Sequence, residues 1–131
     1  MKQVEVVAAV IMHEGEILCV QRGPNKYDYI SKKFEFPGGK IEGDESKEDA
    51  IRREIREELK MEIEVQTQLM TVKHQYPDFH LTMHAFICKS PSREIILTEH
   101  IDCKWLPISN MNELDWAAAD IPIVERLLGK P

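Results

Sequence analysis

The chain reads as an α/β protein with a mixed sheet and helices on its faces. Two observations predict this: β-branched apolar runs alternate with turn residues through most of the chain, and two helical segments interrupt or follow them. At 131 residues with 43% hydrophobic content, the chain fits one domain, residues 1–131, around a single buried core.

Residues 4–12 are β-branched and apolar, and residues 16–21 form a second short apolar run. His13-Glu14-Gly15 between them predicts a hairpin turn. Residues 25–33 are polar and aromatic behind Pro24, which predicts a loop. Phe34-Glu35-Phe36 alternates like a short strand and stops at Pro37-Gly38-Gly39.

Residues 46–59 carry the strongest helical signal. Ser46 is a suitable N-cap, with Asp49 three residues on, and Ile51, Ile55 and Leu59 recur every four residues as an apolar stripe. Residues 62–75 and 79–88 predict two strands around Tyr76-Pro77-Asp78, and residues 93–97 and 102–106 two more. Residues 120–128 predict a second helix, with Pro122 in its first turn, where the missing N–H costs nothing.

A formal net charge of −6 repels polyanions, so polymeric nucleic acid is not an expected partner. A small anion is, if cations bridge it to acidic side chains. Cys19, Cys88 and Cys103 are scattered with no metal-ligand spacing, as in a reducing compartment. The opening apolar run is too short to span a bilayer, and the expectation is a cytoplasmic protein without membrane contact. Oligomeric state is left open, a homodimer included.

At 100° per residue, Glu54, Glu57 and Glu58 fall within an arc of roughly 100° beside the Ile51/Ile55/Leu59 stripe. Three carboxylates this close repel one another unless a cation joins them, and oxygen ligands of this kind suit Mg²⁺ or Mn²⁺. A Glu/Arg-rich helix is commonly just a solvated face laced with ion pairs. What distinguishes this one is the glycine loop Pro37-Gly38-Gly39 that feeds it and Glu45 at its mouth.

Gly39, Glu45 and Arg53-Glu54-Ile55-x-Glu57-Glu58, at these spacings, resemble the Nudix box. Lys60 stands where that pattern has glycine, in doubt only for the geometry of the helix end. Phe34-Glu35-Phe36-Pro37-Gly38-Gly39-Lys40 looks like the approach to the box in the MutT-like branch. The opening Val4-Glu5-Val6-Val7-Ala8-Ala9-Val10 and the tail Ala119-Asp120-Ile121-Pro122 are similar to the CTP/5-methyl-dCTP pyrophosphohydrolases of that branch.

The resemblance implies a Nudix-type α/β/α sandwich and a Mg²⁺-dependent hydrolysis, with Mn²⁺ as a substitute, of a (deoxy)nucleoside triphosphate to a monophosphate and pyrophosphate. The base would be cytosine-type or oxidised, and the role nucleotide-pool sanitation. By position it makes Glu54, Glu57 and Glu58 metal ligands, with the Gly38 carbonyl and Glu99 as additions. Arg53 would orient the acids, and Glu54, Glu45 and Glu99 are alternative general bases.

The same positions imply that Arg22 meets a phosphate, with Gly39 and Lys40 beside the substrate, and that Asp120 reads the nucleobase edge. Phe34, Phe79 and Trp116 are candidates to stack on the base, each also a natural core residue. His80 and His84 share one strand face and are read as structural, with His84 a further candidate for the pocket. Pro77 lies where ADP-ribose-hydrolysing relatives often carry proline, so ADP-ribose or a nucleotide sugar is the alternative substrate. A catalytically silent nucleotide-binding domain is the alternative from another class.

Overall fold

A computed structural model describes residues 2–130. Seven strands form one mixed sheet: β1 (Lys2–His13), β2 (Glu16–Gln21), β3 (Phe34–Glu35), β4 (Gly38–Lys40), β5 (Glu64–Gln75), β6 (Phe79–Lys89) and β7 (Asp102–Pro107). Helix α1 (Lys47–Leu59) lies between β4 and β5. Two 3₁₀ turns, Ile108–Glu113 and Ala118–Asp120, lead into α2 (Ile121–Leu127).

The sheet runs β3-β2-β1-β6-β5, with β4 paired to β1 and β7 to β2. β1 and β6 are parallel over the register Lys2↔Phe79 to Met12↔Lys89, and the other pairings are antiparallel. β1 and β2 pair only at the hairpin, Met12↔Ile17 and His13↔Glu16, before they part. Beyond that fork β4 takes the place beside β1, pairing Val6↔Lys40 to Ala8↔Gly38.

Alternation along β1 gives the sheet two cores. Val7, Ala9 and Ile11 pack with Ala50, Ile51, Ile55 and Leu59 of α1. Ala8 and Val10 face the other way and pack with Met111, Trp116, Ile123 and Val124. Burial on both faces explains why residues 6–12 of β1 are an unbroken apolar run rather than a polar/apolar alternation.

The helix begins as its sequence predicts. Ser46 Oγ accepts the Asp49 N–H at 3.1 Å, and Ala50, Ile51, Ile55 and Leu59 are buried. Lys60 closes it in the left-handed region at φ 56°, its N–H donating to the Arg56 carbonyl, so the departure from glycine leaves the turn intact.

The strand expected at residues 93–97 is absent. Its alternation is real, since Ile95 and Leu97 pack on the α1 core while Ile96 is 63% exposed. Its backbone, however, turns to the end of α1: the Ile96 N–H donates to Leu59 O and the Thr98 N–H to Glu58 O. Carbonyls of a helix's last turn have no partner within the helix, and this segment satisfies two of them.

Candidate active site

The fork between β1 and β2 opens into a cavity of about 660 Å³, a volume suited to a nucleotide-sized ligand. One end is lined by Arg22, Glu35, Gly38, Gly39, Lys40, Glu58, Glu99 and His100. The other is lined by Val4, Phe36, Tyr76, Leu81 and Asp120. A charged end and a more apolar end holding the buried Asp120 carboxyl, with Lys2 and Asp78 at its margin, match a ligand that is anionic at one end and planar at the other.

The glycines of the loop are required by contact. A β-carbon at Gly38 would stand 2.0 Å from the Val7 carbonyl oxygen, inside the β1–β4 ladder. One at Gly39 would stand 2.5 Å from the Glu54 carboxylate, so that acid rests against bare backbone.

Glu58 is the group in greatest electrostatic difficulty. Its Oε2 is buried without a hydrogen-bond partner. Burial, then the charges of Glu54, Glu35 and Glu99, push its carboxyl up to about 9. Only a proton or a cation relieves such a group. An all-oxygen set of Glu54, Glu58 and Glu99 beside the Gly38 carbonyl has the chemistry of a hard divalent-cation site.

Among the described residues no three acidic, His or Cys side chains already converge as a metal cage. Arg53 takes several of the acids around its own guanidinium. Its Nη1 donates to Glu54 at 2.9 Å and to Glu57 at 3.2 Å, its Nε and Nη2 to Glu45 at 2.7 and 3.0 Å, and its Nη2 to the Lys40 carbonyl at 2.9 Å. Glu42 completes the ring at 3.3 Å. The Glu45 carboxylate, bonded to Arg53 and to the Glu42 N–H, is held below the usual carboxylate range, and these acids in turn push the Arg53 guanidinium up.

Of the residues singled out in the sequence, Arg22, Gly38, Gly39, Lys40, Glu58, Phe79, Glu99 and Asp120 line the cavity. Glu54 stands behind Gly39, and Glu57 is on the exposed flank of α1. Glu45 is not at the cavity. It buttresses Arg53, which makes it a positioning partner rather than a group that meets water beside the substrate.

Two other placements correct the sequence reading. Phe34 is buried in the core and bridges to Trp116, whereas Phe36, stacked on Trp116 at 4.7 Å, lines the cavity together with Tyr76 and Phe79. His84 sits on the opposite side of the sheet, in register with Val7 of the α1 face, between Thr71 (2.9 Å) and Glu5 (2.7 Å). Strand parity decides the second, and parity cannot be anchored from sequence until the partner strands are known.

Glu35 and His100 were missed. The imidazole Nε2 of His100 lies 2.9 Å from Glu35 Oε2, and Arg22 Nη1 donates to Glu35 Oε1 at 3.4 Å. Glu35 thereby fixes the cation that the sequence assigned to phosphate. The signal was present as a lone acid between two aromatics, Phe34-Glu35-Phe36, on a strand next to the glycine loop.

Asp120 is buried at the far end. Its Oδ1 accepts the Phe36 N–H at 2.9 Å. Burial first, and Glu35 second, push its carboxyl well above the usual range, against the opposing pull of that hydrogen bond and of Arg22.

Comparison with known proteins gives the family and the fold. The family model for the NUDIX domain matches residues 6–126. The CTP pyrophosphohydrolase of Escherichia coli K12 is 34% identical over 128 residues, covering 98% of this chain and 93% of the relative. The 8-oxo-dGTP diphosphatase of the same organism is 27% identical over 128 residues, covering 97% and 98%. The MutT protein of Methanosarcina mazei Go1 has the same fold, with a TM-score of 0.87 at 24% identity, covering 98% of this chain and 94% of that one.

Proposed function

Because the chain belongs to the NUDIX domain family and is a Nudix hydrolase, we propose that it splits a cytosine-type nucleoside triphosphate into the monophosphate and pyrophosphate. One observation carries the reading: the unpartnered, charge-crowded Glu58 carboxyl lies at one end of a nucleotide-sized cavity whose other end holds the buried acid Asp120.

Mg²⁺, or Mn²⁺ in its place, would be held by Glu54, Glu57, Glu58, Glu99 and the Gly38 carbonyl, and when bound supplies charge neutralisation and acidification of a coordinated water. Arg22, fixed by Glu35, and Lys40 at the cavity edge draw the phosphate chain into place. Glu99 accepts the proton of the attacking water, because it lines the cavity whereas Glu45 is tied to Arg53. Water adds to a phosphorus of the anhydride, the bridging oxygen leaves with pyrophosphate, and one proton is released. Arg53 holds Glu54 and Glu57 in place throughout.

Asp120 selects the base. In a closed apolar end the neutral acid is favoured, and it offers one donor and one acceptor. A cytosine edge presents the complement, an amine donor beside a ring-nitrogen acceptor. A guanine-type edge presents two donors and suits an ionised carboxylate instead. This favours CTP, dCTP and 5-methyl-dCTP over 8-oxo-dGTP.

Pyrophosphate release from CTP, dCTP, 5-methyl-dCTP and 8-oxo-dGTP, beside cleavage of ADP-ribose, tests the assignment in Mg²⁺ and in Mn²⁺. The cytosine nucleotides should lead. Turnover of ADP-ribose with none of the triphosphates would sink it.

A further inference from the structure

Three stretches far apart in sequence meet at the apolar end of the cavity: the loop at residues 22–33, the β5–β6 hairpin, and the 3₁₀ turn Ala118–Asp120. Tyr76 joins them. It is 5% exposed, its ring stacked on Tyr29 at 5.1 Å, edge-on to His74 at 4.5 Å and tilted against Phe79 at 5.1 Å. Its N–H donates to the Phe79 carbonyl at 2.8 Å, which pins it in the hairpin. Tyr29 is itself anchored, its hydroxyl donating to Asp78.

The 3₁₀ turn that carries Asp120 begins badly. Its N-cap is Ala117, which has no side chain to accept an N–H, so no local residue caps it. The phenol oxygen of Tyr76, 43 positions away in sequence, accepts the buried Ala119 N–H at 3.0 Å. It does for this turn what Ser46 does for α1. The Asp120 N–H then donates to the Ala117 carbonyl at 2.9 Å, and the Asp120 side chain to which base reading is assigned follows directly.

We propose that Tyr76 is a positioning residue for nucleobase selection: by capping the turn at Ala119 from outside, its hydroxyl fixes the depth at which the Asp120 carboxyl meets the base. The inference rests on the base-reading role given to Asp120 above. It assigns Tyr76 no part in hydrolysis, since the charged end of the cavity is built from other elements.

The test is the ratio of kcat/KM for CTP over 8-oxo-dGTP in the wild type, Tyr76→Phe, Asp120→Ala and the double variant, with thermal melts to confirm folding. Tyr76→Phe keeps the ring and removes the acceptor. It should lower the ratio about ten-fold, as expected for losing one well-placed hydrogen bond, through KM for CTP and with kcat unchanged. In the Asp120→Ala background the same change should alter the ratio by less than about two-fold, the mark of two residues acting as one.

If Asp120→Ala leaves the ratio at its wild-type value, or the wild type turns over neither nucleotide, the base-reading role fails and this inference with it. If Asp120→Ala collapses the ratio but Tyr76→Phe does not, or if Tyr76→Phe slows both nucleotides equally, the positioning role alone is overturned. Should Tyr76→Phe not fold, Tyr29→Ala, which removes the ring packed on Tyr76, should lower the ratio in the same sense, and an unchanged ratio would overturn the inference.

Discussion

Thr98 donates twice to one acceptor: its hydroxyl reaches the Glu58 carbonyl at 2.7 Å and its N–H reaches the same oxygen at 3.3 Å. The loop that carries Glu99 is thus fastened to the last turn of the helix that carries Glu58. Thr98→Val keeps the shape and the N–H contact but drops the hydroxyl. It should cost about 1 kcal/mol of stability and lower kcat more than it raises KM, because Glu99 loses its anchor. Unchanged kcat in a folded variant would separate Glu99 from the chemistry.

Gly39→Ala places a methyl where the Glu54 carboxylate lies, 2.5 Å from it. The obstructing atoms are the end of a side chain, so the fold should survive with a loss under about 1 kcal/mol. Turnover should fall roughly 10²-fold as Glu54 is displaced. Steady-state kinetics together with a melting curve check both halves, and near-normal turnover would show that the position of Glu54 is not critical.

Lys60 holds a left-handed conformation that glycine adopts without penalty. Lys60→Gly should stabilise the protein by about 1 kcal/mol, roughly 4 °C in Tm, with activity unaltered. A lower Tm would mean that the lysine side chain contributes more than its backbone costs.

Glu58→Gln removes a buried charge whose repulsion a cation would otherwise relieve. Without divalent ions the variant should melt higher than the wild type. Mg²⁺ at a hundredfold excess over its Kd should stabilise the wild type by about 2.7 kcal/mol and the variant far less. Equal Mg²⁺ shifts in the two proteins would remove Glu58 from the ligand set.

Asp120 gives stability a pH slope of known sign. Its folded carboxyl is raised above the unfolded value of about 3.9, so above that pH the unfolded chain releases a proton that the folded protein retains. Stability therefore falls as pH rises through this window. Asp120→Asn should flatten the decline between pH 4 and 8 without abolishing it, because Glu58, raised to about 9, contributes a slope of the same sign. Parallel melting curves for the two proteins across that range would refute the burial of an acid at this position. Asparagine also offers one donor and one acceptor, so Asp120→Asn should preserve the preference for cytosine.

The sequence revealed most where the determinants are local. The Ser46 cap, the Ile51/Ile55/Leu59 stripe and the hairpin at His13-Glu14-Gly15 each depend on a few adjacent residues, and all are present. Residues 93–97 show the limit of that logic. Their alternation correctly marks which side chains are inside, yet a strand also needs a neighbour, and theirs is the end of a helix. His84 lies away from the pocket for a related reason: which face of a strand meets the cavity is set by pairings such as β1 with β6, whose partners are more than seventy residues apart. Glu35, His100 and Tyr76 escaped notice because their importance lies in contacts with distant groups.

Arg53 gathers Lys40, Glu42, Glu45, Glu54 and Glu57 around one guanidinium, and all six positions fall within a single stretch of eighteen residues, 40–57. Two of the proposed metal ligands, Glu54 and Glu57, thus belong to a cassette with its own internal scaffold, to which Gly38, Glu58 and Glu99 add from outside. The base-discriminating parts, Tyr76 and Asp120, arrive from elsewhere in the chain and touch none of it. Substrate range can drift, or be re-engineered, by rewriting the far wall of the cleft while the Arg53 cassette is left intact.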